Sequence, residues 1–352
     1  MRTNKLPFLS VVINTLNGQK TIARTLDSVL LQDYPKRHFE IIVVNDGSTD
    51  DTADIVARYK TVRLINLPHN MGISEARNHG LAAARGDIYV ALDDDCIVAP
   101  NWLSELAKGY ALDKPAGVGG YLLVSEPRGL VSHYISAVGS GFAPVSSNDD
   151  APKSIFRRFF AYLRAGLHRL DESDAPHVTV QELYGANSSF PVDILRAVGG
   201  WRTDMWWVED RDLSLRIRER YPDYHFYAMK NAAIVHDPYI STGRYLLRPY
   251  RRGPANLRFH RVNKLVPPIF PFPIVMLLIF SLAFFVTPDW KPLLVGLIAP
   301  QFLYFWWPYY GLLHRRAVYL VFPYLQLAEE TMVIIGLLRG YITHLKEVYA
   351  DR

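Results

Sequence analysis

The chain contains little of what several common protein classes require. It has one cysteine, Cys96, in 352 residues, which excludes an intrachain disulfide framework and favours a reducing compartment. No Gly-x-Gly-x-x-Gly motif follows the first predicted strand, which argues against a nicotinamide-dependent enzyme. The apolar run Phe8–Ile13 is too short for a secretory signal peptide. We therefore expect the N-terminal portion of the chain to stay in the cytoplasm.

Acidic residues are missing from one long stretch. Between Pro238 and Lys264 there is no aspartate or glutamate, and the seven basic residues there are Arg244, Arg248, Arg251, Arg252, Arg258, Arg261 and Lys264. Such a run is typical of contact with nucleic acid, anionic lipid or phosphate. Two uncharged apolar runs follow, Val266–Val286 and Leu293–Leu313, and each has the length of a bilayer span. This context indicates a membrane, and not nucleic acid, as the partner.

The charges that flank these two runs predict a membrane hairpin. The basic juxtamembrane segment 241–264 precedes the first run, and His314-Arg-Arg316 follows the second. The cytoplasmic ends of membrane spans carry the excess of basic residues. We therefore predict a membrane region over 265–352 that begins with a hairpin whose two ends are cytoplasmic. The protein is then a multi-pass cell-membrane protein with a cytoplasmic N-terminal domain.

A third apolar segment, Ala317–Leu338, has Glu329 and Glu330 in its interior. Adjacent acids within lipid are costly and normally face protein or a polar cavity. The segment is a third span, a re-entrant segment or a helix at the interface. A third span would place Arg339 and Lys346 outside, against the positive-inside rule. We favour the span among these alternatives, so the membrane region is predicted to hold two or three helices.

Apolar periodicity alternates between strands and helices in the first third of the chain. The predicted strands are 8–13, 39–44, 62–66 and 87–92, and the predicted helices are 19–32, 52–59, 72–85 and 101–110. This alternation with short connections predicts an α/β fold with a mainly parallel sheet. Ligands of such sheets bind beyond the carboxyl ends of the strands, where Asn14, Asp46 and the triplet Asp93–Asp95 lie.

Three consecutive carboxylates, Asp93, Asp94 and Asp95, follow the fourth predicted strand. Side chains alternate along an extended chain, so Asp93 and Asp95 are predicted to point to one side and Asp94 away from it. A hard divalent cation such as Mg²⁺ or Mn²⁺, which also binds phosphate oxygens, relieves the repulsion among them. A solvated acidic turn is the alternative. We interpret the neighbouring Cys96 as a small buried residue, because one thiol is not a metal cluster.

Residues 125–182 interrupt the alternation, and we interpret them as an insertion. The insertion contains a predicted loop, 139–152, and a basic, aromatic-rich amphipathic helix over 153–170. A helix of this composition can lie in a membrane interface, or it packs on the sheet with its basic face in water. We favour the interfacial position.

Five motifs occur in an order and spacing that resemble family 2 glycosyltransferases of the GT-A fold. They are Ser10–Asn17, Val43–Asp50, Gly72–Gly80, the acidic triplet and Val208–Arg216. The resemblance covers residues 7–240 and implies a nucleotide-diphospho-sugar transferase domain over 1–240, with a Rossmann-like mixed sheet and the insertion 125–182 on its acceptor side. The C-terminal region resembles membrane-anchored members in arrangement only, so C-terminal transmembrane helices are the expectation.

The resemblance implies a donor site around Asp46. This carboxylate follows the second strand, where it can accept a hydrogen bond from a nucleobase, and Thr15 and Asn17 line the same pocket. From the residues alone Asp46 is instead a helix N-cap, although Ser48 or Asp50 suits that role better. The other donor-binding candidates are Arg77, Asp94, Arg251 and Arg252. From the residues alone Arg77 braces the carboxylates or is a surface residue, and the other two arginines alternatively hold lipid headgroups.

The resemblance also implies a metal site. Asp93 and Asp95 match the Asp-x-Asp motif, which binds the metal through the donor diphosphate, and His236 matches a histidine that contacts the metal or diphosphate. A bound Mg²⁺ or Mn²⁺ stabilises the charge that develops on the departing nucleoside diphosphate. Alone, a histidine at a strand end is more often structural.

Asp210 is the predicted catalytic base. It opens a predicted helix, 210–220, and a carboxylate near an attacking sugar hydroxyl is competent to accept its proton. Glu209 precedes it and holds it in place or accepts acceptor hydroxyls. The alternative makes Asp210 a helix N-cap.

Three tryptophans near this motif, Trp201, Trp206 and Trp207, offer flat faces on which an acceptor sugar can stack. They are core residues in the alternative interpretation. Their closeness to charged residues favours a wall that binds the acceptor.

These residues predict an inverting, metal-dependent hexosyltransferase. It moves a single sugar from a nucleotide sugar to a hydroxyl of a membrane-held acceptor, which is a lipid-linked glycan or glycolipid of the cell envelope. The Gln-x-x-Arg-Trp motif of processive members is absent, and no span precedes the catalytic domain, so we do not expect a polymer-extruding synthase. The alternatives are transfer to a polyprenyl phosphate, a sugar nucleotidyltransferase and a non-catalytic binding scaffold.

Overall fold

The chain divides into two compact units. The computed structural model describes residues 6–124, 129–138, 154–168, 175–236, 241–267, 270–286 and 290–350. The N-terminal unit consists of Met1–Glu126, Gly139–Val145 and Asp174–Pro238, and the C-terminal unit of Pro127–Val138, Ser146–Ser173 and Tyr239–Arg352. The division predicted from the sequence, a catalytic domain over 1–240 with a membrane region over 265–352, stays a prediction. The helices of the predicted insertion, however, group with the C-terminal unit, and its loop 139–152 lies outside the described residues.

The described residues of the N-terminal unit contain one sheet of nine strands. They are β1 (Leu9–Thr15), β2 (Phe39–Asn45), β3 (Val62–Asn66), β4 (Ile88–Asp93), β5 (Cys96–Val98), β6 (Pro115–Val124), β7 (His177–Val180), β8 (Asn187–Pro191) and β9 (His225–His236). Their order in the sheet is β3-β2-β1-β4-β8-β6-β9-β5, and β7 also pairs with β9. The first four strands are parallel, as predicted. The other strands make the sheet mixed, because β8 runs antiparallel to β4 and β6, and β5 runs antiparallel to β9.

In the described residues the N-terminal unit has six α-helices and a 3₁₀ turn at Lys36–His38. The helices are α1 (Ile22–Leu30), α2 (Thr52–Ala57), α3 (Ile73–Ala83), α4 (Trp102–Gly109), α7 (Val192–Ala197) and α8 (Glu209–Arg220). The two faces of the sheet bury two separate apolar clusters. Val11 and Ile13 of β1 face one cluster, and Val12 faces the other, because successive side chains of a strand alternate. The two clusters therefore fix which face of the sheet each residue of β1 occupies.

The C-terminal unit is helical. Its helices are α5 (Leu130–Val138), α6 (Ile155–His168), α9 (Thr242–Val262), α10 (Pro271–Val286), α11 (Lys291–Leu303), α12 (Trp306–Leu313) and α13 (Phe322–Ala350), with a 3₁₀ segment at Ala317–Val321. An aromatic cluster joins α5, α10, α12 and α13 through Tyr134, Phe272, Trp306, Trp307 and Phe322. The basic, aromatic-rich helix predicted over 153–170 is α6, whose Phe159 packs on Phe272.

The predicted hairpin of two full spans differs from the helices that the structure has. α10 contains 16 residues, or about 24 Å, against about 30 Å of hydrocarbon. The second apolar run is two helices, α11 and α12, that are separated at Tyr304 and Phe305. Pro308 fits the first turn of a new helix, where its missing N–H leaves no bond unmade. Hydropathy is uniform across the break at Tyr304 and Phe305, so the sequence predicted one long helix there.

One helical stretch in the described part of the chain, Ala317–Leu345, is long and apolar enough to cross a membrane. Its two adjacent acids face protein, as the sequence led us to expect. Glu330 accepts hydrogen bonds from the hydroxyls of Tyr162 and Tyr304 at 2.7 and 2.8 Å. Glu329 accepts from Tyr134 at 3.0 Å. These bonds tie α5 and α6 to α13, which explains why the insertion helices belong to the C-terminal unit.

Candidate active site

The three aspartates of the triplet contact three different partners. β4 ends at Asp93, and the chain then turns through Asp94 and Asp95 into β5. The prediction that Asp93 and Asp95 share one side assumed that the extended chain continues through the triplet, and that assumption is wrong. Asp93 lies 3.9 Å from Arg77, Asp94 hydrogen-bonds Thr15, and Asp95 meets His236.

Asp94 is held by the loop that follows β1. Its carboxylate accepts a hydrogen bond from the Thr15 hydroxyl, and its backbone carbonyl accepts one from Thr25 at 2.8 Å. A methyl group on Gly18 would lie 2.1 Å from Asp94 Oδ2, so a glycine is required there. Burial raises the pKa of Asp94 to about 6, the Thr15 hydrogen bond opposes the rise, and the neighbouring aspartates add to it. Asp94 therefore connects two loops at the carboxyl edge of the sheet.

Asp95 and His236 meet because β5 pairs with the last residues of β9. Cys96 stands opposite His236 in this register, and His236 Nε2 lies 3.0 Å from Asp95 Oδ2. Burial raises the pKa of Asp95, but the hydrogen bond and charge of His236 outweigh it, so that this pKa lies below its usual value. Ligand atoms of Asp95, Cys96 and His236 lie within 4.8 Å of one another.

The donor atoms at this point suit a divalent metal. Carboxylate oxygens are ligands of Mg²⁺ and Mn²⁺, and imidazole suits transition metals. The carboxylates of Asp93 and Asp95 are each more than one-third exposed, so both are open to a cation. The Cys96 thiol is a soft ligand, which hard cations such as Mg²⁺ and Mn²⁺ do not prefer. Asp93 is not among the ligand atoms that lie within 4.8 Å of one another, so the predicted metal set of Asp93, Asp95 and His236 stays a prediction.

Arg77 is the centre of the charge cluster. It lies on α3 and is buried, and its Nη1 lies 2.6 Å from Asp210 Oδ1 and 2.9 Å from Glu209 Oε1. Burial by itself would lower the pKa of the guanidinium, but the charges of Asp210, Glu209 and Asp93 raise it well above its ordinary value. The surface alternative for Arg77 is therefore wrong. It braces the carboxylates from within.

Asp210 is fixed at both carboxylate oxygens. Oδ1 accepts from Arg77, and Oδ2 accepts from the backbone N–H of Gly185 at 2.8 Å. Asp210 is the second residue of α8, and the N-cap is Val208, so the N-cap alternative for Asp210 is wrong. Its side chain remains one-quarter exposed. Each carboxylate oxygen has two lone pairs, which leaves Asp210 able to accept a further hydrogen bond from a bound hydroxyl.

Glu209 lies deeper than Asp210. One oxygen pairs with Arg77, and the other, Oε2, is buried with no hydrogen-bond partner in the described residues. Burial and the charge of Asp210 raise the pKa of Glu209 to about 6, and Arg77 opposes the rise. Glu209 is accordingly placed to support Arg77 and Asp210.

Asp46 uses its carboxylate to shape a loop. Oδ1 accepts from the Met71 N–H at 2.7 Å, and Oδ2 from the Gly72 N–H at 2.9 Å. Asn17 also holds backbone, since its side-chain oxygen accepts from the Thr49 N–H at 2.9 Å. Asp46 and Asn17 can each accept a further hydrogen bond, because a carboxylate or amide oxygen accepts two. The contact of Asp46 and Asn17 with a nucleobase stays a prediction. Neither side chain caps α2, since the Thr52 N–H at the start of that helix donates to Asp50 Oδ1.

The three tryptophans divide into two groups. Trp201 is only 2% exposed and packs on Tyr89 and Phe190, so its assignment to an acceptor wall is corrected to a core residue that covers Arg77. Trp206 and Trp207 are 58% and 55% exposed. Trp206 lies against Gly72, where an added methyl group would be 3.2 Å from its ring. The Trp207 backbone has a φ of 72°, a left-handed conformation that is rare for a bulky residue.

Two residues of the site were not predicted from the sequence, and two predicted residues lie in the C-terminal unit. Gly185 supplies a backbone donor to Asp210, and no side chain marks that function in the sequence. Asn78, within the Gly72–Gly80 motif, holds the backbone of Trp201 with bonds of 2.8 and 2.9 Å. Arg251 and Arg252 lie on α9 of the C-terminal unit, where both are exposed. Their role at the donor stays a prediction.

Comparison with known proteins identifies the N-terminal unit. Residues 10–151 match the family described as Glycosyl transferase family 2. The glycosyltransferase AglE of Haloferax volcanii is 33% identical over 134 residues, which are 36% of this chain and 43% of that protein. The probable glycosyltransferase YdaM of Bacillus subtilis is 28% identical over 222 residues, 60% of this chain and 47% of that protein. The chain thus spans about half the length of these curated relatives.

Solved structures share the fold. The mannosyltransferase PcManGT of Pyrobaculum calidifontis, solved with GDP-Man and Mn²⁺, aligns with a TM-score of 0.59 and 18% identity, over 94% of this chain and 88% of that one. This likeness agrees with a GT-A fold built on the mixed sheet described above. Residues 10–151 of the N-terminal unit therefore match glycosyl transferase family 2, and the unit has the GT-A fold.

Proposed function

We propose that this protein is an inverting, metal-dependent glycosyltransferase that moves one sugar from a nucleotide sugar to a hydroxyl of a membrane-held acceptor. The observation that carries the proposal is the fixed carboxylate of Asp210, which shares Arg77 with Asp93 at the end of β4. A base and a candidate metal ligand are thereby linked through one guanidinium. Transfer of a sugar to a hydroxyl needs both features.

Asp210 acts as the general base in this proposal. The acceptor oxygen attacks the anomeric carbon, the bond from that carbon to the diphosphate breaks, and the hydroxyl proton passes to Asp210. Because attack comes from the side opposite the leaving group, the anomeric configuration inverts. Arg77 and the Gly185 N–H hold the carboxylate in place, and a base held in position contributes more than a freely rotating one.

The donor is proposed to lie across the carboxyl edge of the sheet. Asp46, Thr15 and Asn17 line the base end, with Asp94 and Arg77 nearer the diphosphate. A mannosyltransferase of the same fold was solved in complex with GDP-Man and Mn²⁺, which supports a nucleotide-sugar donor and a divalent metal here. Asp93, Asp95 and His236 would hold that metal, which when bound neutralises charge on the diphosphate.

The acceptor is proposed to be a lipid-linked glycan or glycolipid that the cytoplasmic face of a membrane presents. Trp206 and Trp207 are exposed aromatic faces beside Asp210 in the chain, and sugars stack on such faces. The apolar surface of the C-terminal unit supports a membrane location, since α10 alone exposes Leu277, Leu278, Phe284 and Phe285.

Replacement of Asp210 by asparagine tests the proposal. We expect Asp210→Asn to lose transfer while the affinity for the nucleotide sugar is kept, because the amide fills the same space without accepting the proton. The exposed Asp223→Asn serves as the matched control. The assay measures glycosylated product and released nucleoside diphosphate, over a panel of nucleotide sugars with Mg²⁺ or Mn²⁺. An active Asp210→Asn enzyme would contradict the assignment of the base.

The same assay separates the alternative reactions. A nucleotidyltransferase would release pyrophosphate in place of a nucleoside diphosphate. Transfer to a polyprenyl monophosphate needs no base, because that acceptor is already anionic, so Asp210→Asn would then keep its activity with a defined lipid phosphate. The Arg77 and Gly185 contacts that fix Asp210 favour a hydroxyl acceptor over that alternative.

A further inference from the structure

Two helices of the C-terminal unit, α9 and α13, pack with their backbones in contact. A methyl group on Gly253 of α9 would lie 2.0 Å from the carbonyl carbon of Gly336 on α13, and one on Gly340 would lie 2.8 Å from the Cα of Pro254. Gly336 and Gly340 form a Gly-x-x-x-Gly spacing, which lets two helices approach this closely. Wherever α13 lies, α9 must therefore lie directly beside it.

The contact extends along both helices. At one end the Tyr245 hydroxyl donates to Glu329 at 2.9 Å, and further along both helices Pro254 contacts Gly340. Arg339 also lies over the Tyr250 ring, 4.8 Å from its centroid. The two helices thus run side by side for about 15 Å, at a rise of about 1.5 Å per residue.

The opposite face of α9 is a basic surface. We define the basic face as the exposed residues Arg244, Arg248, Arg251, Arg252, Arg258 and Arg261. At about 100° per residue, four of them (Arg244, Arg248, Arg251 and Arg258) fall within about 40° of one line along the helix, and Gly253 lies on the other side. No acidic residue occurs from 238 to 288 in the sequence, so the charged residues of α9 are all basic.

This arrangement decides among the three alternatives for α13. If Ala317–Leu345 crossed a bilayer, the part that packs on α9 would include the middle of the membrane, and the arginines of the basic face would lie there too. Charged side chains at that depth are costly and face protein or water, whereas these are exposed. We infer that α13 does not cross the membrane, and that α9 and α13 lie at its surface with the basic face on anionic phospholipid headgroups.

The surroundings of the pair fit a surface position. Glu329 and Glu330 accept hydrogen bonds from tyrosine hydroxyls of neighbouring helices. The protein itself therefore satisfies both acids. In the same unit α10 and α11 expose Leu277, Phe285, Leu293 and Leu297, and such side chains bury in the outer part of a leaflet. Anionic lipid, in place of nucleic acid, matches a basic face that belongs to the same unit as exposed apolar helices.

Cysteine labelling of the full chain in sealed membranes tests the topology. Cys96 is buried, and Cys96→Ala gives a cysteine-free background. Single cysteines are then placed at exposed positions before and near the end of the stretch, Ala317→Cys and Thr343→Cys, with Lys60→Cys on the N-terminal unit as reference. In inverted membrane vesicles we expect a membrane-impermeant maleimide to label all three without detergent. Labelling of Ala317→Cys and Thr343→Cys from opposite sides would overturn the inference.

Vesicle flotation tests the lipid partner. The purified full chain is floated with phosphatidylcholine vesicles, with or without phosphatidylglycerol. Since each arginine near an anionic surface contributes about a fivefold preference, we expect Arg244→Gln, Arg248→Gln and Arg258→Gln together to lower the preference for anionic vesicles about a hundredfold. Arg37→Gln, Arg58→Gln and Arg220→Gln together, exposed and in the N-terminal unit, are the control of equal charge and should change it little.

Two results of the flotation would overturn the lipid assignment. The first is equal binding of the unmodified protein to neutral and anionic vesicles. The second is a stronger competition by duplex RNA or DNA than by anionic vesicles at the same salt concentration. Neither result bears on sugar transfer, because the inference concerns the C-terminal unit alone and the activity of Asp210 is measured separately.

Discussion

Arg77 Nη1 lies 2.6 Å from Asp210 Oδ1, although 133 residues separate them in the chain. The same nitrogen bonds Glu209, and Nη2 lies 3.9 Å from Asp93. One buried guanidinium thus holds the candidate base, its neighbour and a candidate metal ligand. A planar group with five donors can serve three carboxylates at once, and an ammonium cannot do so with the same geometry.

Arg77→Lys should therefore separate binding from catalysis. We expect transfer to fall about a hundredfold, because displacement of a reacting group by about 1 Å has an effect of that order. The fold should survive, since a positive charge remains among the acids. Steady-state kinetics with donor and acceptor varied in turn will report kcat and KM. Arg58→Lys, exposed on the same unit, should match the unmodified enzyme, and a similar loss in both variants would refute a specific role for Arg77.

Gly185→Ala should displace the carboxylate of Asp210 while leaving that residue itself unchanged. A methyl group there would lie 2.0 Å from Arg77 Nη2 and 2.6 Å from Asp210 Oδ2, so both groups must move. We expect a loss of kcat comparable to that of Arg77→Lys. Gly243→Ala is the control, because an added methyl group meets nothing within 4 Å there. Full activity of Gly185→Ala would mean that the backbone bond to Asp210 is dispensable.

Cys96→Ala should leave metal affinity unchanged, and His236→Ala should weaken it. The thiol lies within the cluster of ligand atoms, but a thiol is a soft ligand that hard Mg²⁺ and Mn²⁺ do not prefer. Loss of one ligand or its immediate partner lowers metal affinity by about 10- to 100-fold. Isothermal titration of the nucleotide-bound protein with Mn²⁺ gives the affinities. A Cys96→Ala variant that binds Mn²⁺ more weakly than His236→Ala would assign the sulfur as a ligand.

Glu209 should make stability depend on pH in the mildly acidic range. Its pKa rises from about 4.5 to about 6 on folding, so the folded protein binds more protons than the unfolded chain between these values. Stability therefore falls as pH rises through that window, by on the order of 1–2 kcal/mol. Glu209→Gln should remove this part of the slope. Denaturant unfolding at a series of pH values without divalent ions will measure it.

The control for that experiment is Glu219→Gln, at an exposed position on the same helix. It removes an equal charge without removing a buried carboxylate, so its pH dependence should follow that of the unmodified protein. If Glu209→Gln kept the full slope, the acid responsible would lie elsewhere in the site.

Trp207→Gly and Trp201→Ala should have opposite effects. Trp207 is exposed and has a left-handed backbone, which glycine adopts without strain, so we expect stability to be kept while the KM for the acceptor rises about tenfold through lost stacking. Trp201 is buried, and its truncation should cost about 3–5 kcal/mol of stability. Thermal unfolding and acceptor kinetics distinguish the two. Destabilisation by Trp207→Gly would place that residue in the core instead.

Local patterns were enough to predict much of the N-terminal unit. The strands 62–66 and 39–44 and the alternation with helices follow from hydrophobic periodicity, and they agree with β3 and β2 as the structure has them. The polar residues beyond the strand ends were predictable as a group, because parallel strands present their carboxyl ends at one edge. Asp46, the triplet and Arg77 all lie near that edge for this reason.

Long-range pairing was not predictable in the same way. The direction of each aspartate in the triplet depends on where β4 stops and on the pairing of β5 with β9, and these two strands lie more than a hundred residues apart in the chain. Trp201 and Trp207 have the same residue type and similar neighbours, yet one is core and the other surface. Only the packing of α3, α8 and β4 around Arg77 separates them.

The sequence by itself determined the fold class, the acidic edge of the sheet and the basic and apolar character of the C-terminal unit, because these depend on periodicity and composition within short windows. The tertiary structure decided which carboxylates share Arg77, where the apolar runs break into separate helices, and that α9 lies beside α13. Hydropathy treats each segment alone. Whether an apolar helix can enter lipid depends also on the charged helix packed against it, and that contact exists only in the folded chain.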